Sequence, residues 1–144
     1  MAPKQNSNEK TISVQQLRYL QGMEKKKLRE ISKRIRMTQR LMNENANVKE
    51  SLKELGKGSK DAIIPLGAGI FASGTIAADS FKRTLPGNVV MPVSQEDIHK
   101  ELAEREKIYA QDAAQLEKEA QATHQNLASM NTLLQMQKKQ AKKA

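Results

Sequence analysis

Six of the seven Gly residues fall between Gly56 and Gly87, and three of the four Pro (Pro65, Pro86, Pro92) lie in or beside the same window. Long stretches nearly free of both flank it on either side. Gly and Pro make turns and break helices, so the chain must fold as a turn-rich middle between two long helices. That middle reads DAIIPLGAGIFASGTIAADSFKRTLPGNVVMPVSQ, residues 61–95.

The first flank, Val14 to Leu55, contains only Gly22 as a breaker. Apolar or small residues recur at Val14, Leu17, Leu28, Ile31, Ile35, Thr38 and Met42, then at Val48, Leu52 and Leu55. From Leu28 to Met42 the steps alternate between three and four residues, the spacing of a coiled-coil seam. Glu24 and Asn45 fall on seam positions, and the register is expected to shift between Asn45 and Val48. Ser13 is placed to cap this helix, and Gly56 and Gly58 to end it. At 1.5 Å per residue its length would be roughly 60 Å.

The second flank starts behind Ser94, a good N-cap, with Glu96 and Asp97 suited to the positive end of the helix dipole. Its stripe is Ile98, Leu102, Tyr109, Ala113, Leu116, Ala120, Thr123, Leu127, Met130 and Leu134, interrupted by Arg105. The helix is expected to run to about Lys138, leaving a frayed basic tail, KKQAKKA. The two helices have nearly equal lengths. If Leu55 lies opposite Glu96, facing residues have numbers that sum to about 151. Leu17 then meets Leu134, Leu28 meets Thr123, Ile35 meets Leu116, and Met42 meets Tyr109. The expected fold is mainly α: a long antiparallel two-helix coiled coil with two β-hairpins inserted between the helices. The single domain divides into a disordered segment (1–11), helix 1 (12–56), the hairpins (61–94), helix 2 (95–138) and the tail (139–144).

Four short strands are expected in the middle. Ala62 to Leu66 turns through Gly67-Ala68-Gly69 into Ile70 to Ile76. Phe81 to Leu85 turns through Pro86-Gly87-Asn88 into Val89 to Val93. Pro65 and Pro92 cannot donate to a ladder, so they belong at edges or bulges. Isolated hairpins are marginal in water. Ile63, Ile64, Leu66, Ile70, Phe71, Ile76, Val89, Val90 and Met91 need cover that one chain does not supply. An obligate oligomer follows, with hairpins pairing across subunits into a closed β body.

Composition supports a narrow seam rather than a broad core: aromatics are 3 % of the chain and Trp is absent. There is no Cys, which removes disulfides and thiolate metal sites and fits a reducing compartment. The N-terminal MAPKQNSNEK has no apolar h-region, and no apolar run approaches the ~20 residues that span a bilayer. These features imply a cytoplasmic protein without membrane contact.

The net charge of +9 resides in residues 1–60, which hold 15 Lys/Arg and 6 Asp/Glu. Lys25, Lys26, Lys27, Arg29, Lys33, Arg34, Arg36 and Arg40 form its densest part. Such a face attracts polyanions or acidic proteins, or serves as a solvated surface. A basic rod binding nucleic acid or an acidic partner is therefore one reading. Base stacking has no aromatic to use within this stretch, which argues against nucleic acid.

The free ends of the helices carry Ile12, Val14, Leu17, Leu20 and Met23 from one side and Met130, Leu133, Leu134 and Met136 from the other. This is more apolar surface than a two-helix seam hides. Of these, Leu17, Met130 and Leu134 are expected to close the seam rather than to bind other chains. Leu20, Met23, Leu133 and Met136 are the better candidates for binding other chains, and Met suits surfaces that accept many shapes. His99 and His124 each lack a second ligand at helical spacing, so no metal is expected. Gly67-Ala68-Gly69 lacks the further Gly of a dinucleotide fingerprint. No cofactor and no catalytic constellation is expected.

At this point the chain resembles the alpha-class subunits of the prefoldins, archaeal or eukaryotic. The resemblance covers residues 14 to 138, and its most specific part is IIPLGAGIF, Ile63 to Phe71, which is similar to the family's first hairpin. Two hairpins mark the alpha class. The resemblance implies a hexamer of two alpha and four beta-class subunits, its hairpins joined in β-barrels. It further implies an ATP-independent chaperone that holds unfolded polypeptides at its coiled-coil tips and delivers them to a group II chaperonin. The chain departs from the family pattern at Phe81-Lys82-Arg83-Thr84-Leu85, a more polar strand, and at Pro86-Gly87-Asn88 in place of a Gly-Ala-Gly-like turn.

Overall fold

The computed structural model describes residues 12–143. The disorder expected of residues 1–11 lies outside the described residues. The order of elements is α1 (Val14–Leu55), β1 (Ser59–Gly67), β2 (Ile70–Ile76), β3 (Lys82–Leu85), β4 (Val89–Pro92) and α2 (Gln95–Lys143).

Both helices begin where side chains can cap them. The Gln16 N–H donates to Ser13 Oγ and the Ser13 N–H donates to Gln16 Oε1, each at 3.2 Å. This reciprocal box satisfies two donors that the first turn would otherwise leave open. At α2 the Asp97 N–H donates to Ser94 Oγ at 3.2 Å. Helix α1 ends at Gly56, where an added Cβ would come within 2.6 Å of the Leu52 carbonyl oxygen and 2.7 Å of Gln95 Oε1. Gly58 follows at φ 83°. Helix α2 continues through the KKQAKKA segment to Lys143, beyond the expected end at Lys138. Lysines in the last turn suit the negative end of the helix dipole, so charge there supports the helix rather than fraying it.

The described residues form two compact units, 12–35 with 115–143, and Arg36–Ala114. In the first, Leu17, Ile31, Leu116 and Thr123 are buried, and Leu28, Ile35, Ala120, Leu127, Met130 and Leu134 are half-buried beside them. Each fully buried Leu or Ile contributes about 1.5–3 kcal/mol. Gln21 donates to Asn131 Oδ1, and Gln137 donates to the Ile12 carbonyl at 2.9 Å. These pairs sum to 152 and 149, matching the antiparallel register read from the sequence.

In the second unit Thr38, Asn45, Leu52 and Leu102 are buried, with Met42, Leu55, Ile98, Tyr109 and Ala113 half-buried. Gln95 donates to the Gly56 carbonyl at 2.7 Å, a sum of 151. One expectation fails here. The register does not shift after Asn45, because Val48 is 45 % exposed and the seam passes from Asn45 to Leu52. Asn45 keeps its seam place by donating from Nδ2 to the Leu102 carbonyl at 3.1 Å.

The strands make two separate two-stranded antiparallel ribbons, β1–β2 and β3–β4. In β1–β2, Ala62 pairs with Gly74, Ile64 with Ala72 and Pro65 with Phe71, with a bulge between Pro65 and Gly67. Its turn holds Gly67, Ala68 and Gly69 all at positive φ, a conformation only Gly adopts without cost. In β3–β4, Arg83 pairs with Met91 and Leu85 with Val89. Gly87 takes φ 83°, as the third position of a Pro-Gly type II turn requires.

Candidate assembly and binding surfaces

The β1–β2 ribbon is apolar on both faces. Strand alternation places Ile64, Ala72 and Ile76 on one face and Ile63, Pro65 and Phe71 on the other. Ile63 is 72 % exposed, Leu66 67 %, Phe71 62 % and Ile70 61 %. Val89, Val90 and Met91 of β4 are exposed as well. Of the residues expected at an oligomer contact, only Ile76 is half-buried; Ile64 is among the exposed. Each strand has one ladder partner, so each keeps one open edge. Open, long, apolar edges pair readily with other strands.

The β3–β4 ribbon is shorter and two-sided. Arg83 and Leu85 share a face with Val89 and Met91, and Arg83 forms an ion pair with Glu101 of α2. The Arg83 and Leu85 side chains are half-buried, whereas Lys82, Thr84 and Val90 on the opposite face are exposed. The polar character of this strand therefore has a structural use: it ties one ribbon face to the helix.

Gln95 is the joint of the second unit, and the sequence reading missed it. Its Nε2 donates to the Gly56 and Ala78 carbonyls, connecting the end of α1, the segment between the ribbons and the start of α2. The register sum of 151 already set Gln95 against Gly56, and that arithmetic was the available signal. Beside this joint lies a groove of about 540 Å3, its apolar lining including Leu41, Val48, Leu52, Leu55, Phe81 and Ile98. Val48 is exposed because it lines this groove instead of the seam. Asn45 also lines it, and Asn45 Oδ1 is buried without a hydrogen-bond partner.

In the first unit, Leu17 is 2 % exposed, and Met130 and Leu134 are half-buried, so all three close the seam. Leu20, Met23, Leu133 and Met136 are exposed, as are Ile12 and Val14. Tyr19, not singled out from the sequence, is 69 % exposed close by. The seam of this unit is partly polar: Glu24 Oε2 and Gln137 Oε1 are buried and unpartnered.

The basic residues of α1 are all exposed. Lys33 pairs with Glu30 at 3.3 Å and Arg40 with Glu44 at 3.3 Å. Among the described residues Lys25, Lys26, Lys27, Arg29, Arg34 and Arg36 form no ion pair. His99 and His124 are exposed. Among the described residues no group of three or more His, Asp and Glu could hold a metal ion, and no helix is long and apolar enough to cross a membrane.

No family model matches the chain, and no curated protein matches it.

Proposed function

We propose that this chain is an alpha-class subunit of a prefoldin-like, ATP-independent chaperone. The observation that carries the reading is the β1–β2 ribbon, open at both edges, with Ile63 and Phe71 exposed on one face, Ile64 exposed on the other beside half-buried Ala72 and Ile76, and Leu66 and Ile70 exposed at its turn. A surface of that kind requires strands from other chains. In this reading the ribbons close into an intersubunit β-barrel with beta-class partners, and the first units are left free to hold unfolded polypeptides. Leu20, Met23, Leu133 and Met136 make the contacts. Each contact is weak, and several copies around one client raise the effective affinity by avidity. A group II chaperonin then receives the client, and no enzymatic step is involved.

The test is aggregation suppression by the chain assembled with a beta-class prefoldin subunit. Substituting Leu20, Met23, Leu133 and Met136 together by Ser should leave the native mass unchanged and abolish suppression. Unchanged suppression contradicts the assignment of these residues. Failure to assemble with any beta-class subunit contradicts the reading as a whole.

A further inference from the structure

We propose that the client-holding surface of the first unit selects acidic polypeptide: unfolded segments in which Asp and Glu are interspersed with apolar residues. The proposal rests on the chaperone reading and specifies its substrate class.

The first observation is charge. The described residues of the first unit hold 12 Lys/Arg and 4 Asp/Glu. Lys25, Lys26, Lys27, Arg29 and Arg34 are exposed and form no ion pair among the described residues. Opposite Lys25, Lys26, Lys27 and Arg29 helix α2 offers no charge, because residues 120–137 contain no Asp, Glu, Lys or Arg; Arg34 faces the α2 turn of Glu117 and Glu119 but pairs with neither. Unopposed charge of one sign on a surface raises the local concentration of oppositely charged partners.

The second observation is placement. Leu20, Lys27 and Arg34 are seven residues apart and share one heptad position beside the seam. In the second unit the same heptad position carries Leu41 and Val48, which line one groove with Ile98 and Arg105 of α2. Leu133 occupies the heptad position of Ile98 and Arg105. Heptad position therefore places Leu20, Lys27, Arg34 and Leu133 on one face of the first unit. Along it the apolar Leu20 and Leu133 lie toward the free ends and the cationic Lys27 and Arg34 follow, with Asn126 and Glu119 at the heptad position of Leu133. That pattern fits a chain carrying both apolar and anionic groups.

The apolar component separates this partner from nucleic acid. Phosphate contact would use the lysines and leave Leu20, Met23, Leu133 and Met136 without a role, and Tyr19 is the one exposed aromatic near them for stacking.

The experiment measures binding of labelled unstructured peptides to the full chain in its assembled form. Three peptides share length and apolar content and differ in carrying Glu, Gln or Lys at the interspersed positions; a single-stranded oligonucleotide is the fourth probe. The acidic peptide should bind at least about tenfold tighter than the basic one at low ionic strength, with the preference shrinking as salt rises. A Lys27→Glu/Arg34→Glu variant, checked for unchanged helicity, should bring the acidic and neutral peptides to the same affinity. Equal binding of all three peptides to the parent protein overturns the proposal while preserving the chaperone reading. No binding of any peptide overturns both. An oligonucleotide that binds tightly and displaces the acidic peptide overturns the proposal in favour of a polyanion site.

Discussion

The same two helices build both units, and the units differ in what they leave exposed. The first carries 12 Lys/Arg against 4 Asp/Glu in its described residues; the second carries 11 of each. The second is electrically neutral yet leaves a two-faced apolar ribbon exposed. The first has a partly polar seam, with Gln21, Glu24 and Gln137 among its members, and an exposed set of Leu and Met beside unpaired lysines. Neutral, edge-open, β-rich surface suits a fixed partner of matching shape, because strand ladders specify register. Charged helical surface with flexible Met side chains suits variable partners. Under the proposed reading, assembly falls to the second unit and capture to the first.

Breaking the ribbon should produce the largest effect. Ile63→Asp with Phe71→Asp places two carboxylates on one apolar face of β1–β2, and assembly should be lost entirely by native mass. Helix content should persist in circular dichroism, since neither residue touches the seams. Persistence of the oligomer would show that this ribbon face is not a shared surface.

The joint is next. Gln95→Leu removes two hydrogen bonds and leaves the Gly56 and Ala78 carbonyls without that donor. Chemical denaturation should show a loss of about 1–3 kcal/mol, confined to a form that still contains intact α1 and α2. An unaffected midpoint would mean that the ribbons need no tether.

The seam of the first unit offers a change of opposite sign. Glu24 Oε2 is buried without a partner, and an unsatisfied buried polar group costs about 1–3 kcal/mol. Glu24→Leu should therefore raise the melting temperature. Stabilisation of the second unit alone, read by hydrogen exchange, would contradict the placement. The smallest effect belongs to Lys49→Ala, which breaks the exposed 3.6 Å pair with Glu106; exposed pairs contribute under about 1 kcal/mol.

Much of this architecture was legible in the residue pattern. The Leu28–Met42 spacing gave α1, Ser13 and Ser94 gave its start and that of α2, and equal helix lengths gave the register that Gln95–Gly56 and Gln21–Asn131 display. The failures share one physical cause: apolar pattern reports burial and is silent on hydrogen bonding. The register was expected to shift between Asn45 and Val48, yet Asn45 holds the seam by donating from Nδ2 to the Leu102 carbonyl, its Oδ1 left without a partner. Val48 looked like core and instead lines a groove beside the β3–β4 ribbon. Gln95, Gln21 and Gln137 carry no apolar signal, so the register set them opposite their partners while the apolar pattern was silent on their cross-helix bonds. The exposed surface set was legible by residue type, because it exceeds what a two-helix seam covers. Its cationic neighbours were visible as a run, and only the heptad placement of Lys27 and Arg34 on the face that also carries Leu20 and Leu133 gives that run a geometry.

The central claim is that the β1–β2 ribbon is shared between chains. Native mass spectrometry of the full-length protein at low micromolar concentration, alone and with a beta-class prefoldin subunit, tests it most directly. The account predicts higher-order species in both cases and a mixed assembly in the second. A stable, fully folded monomer that ignores the partner would contradict it.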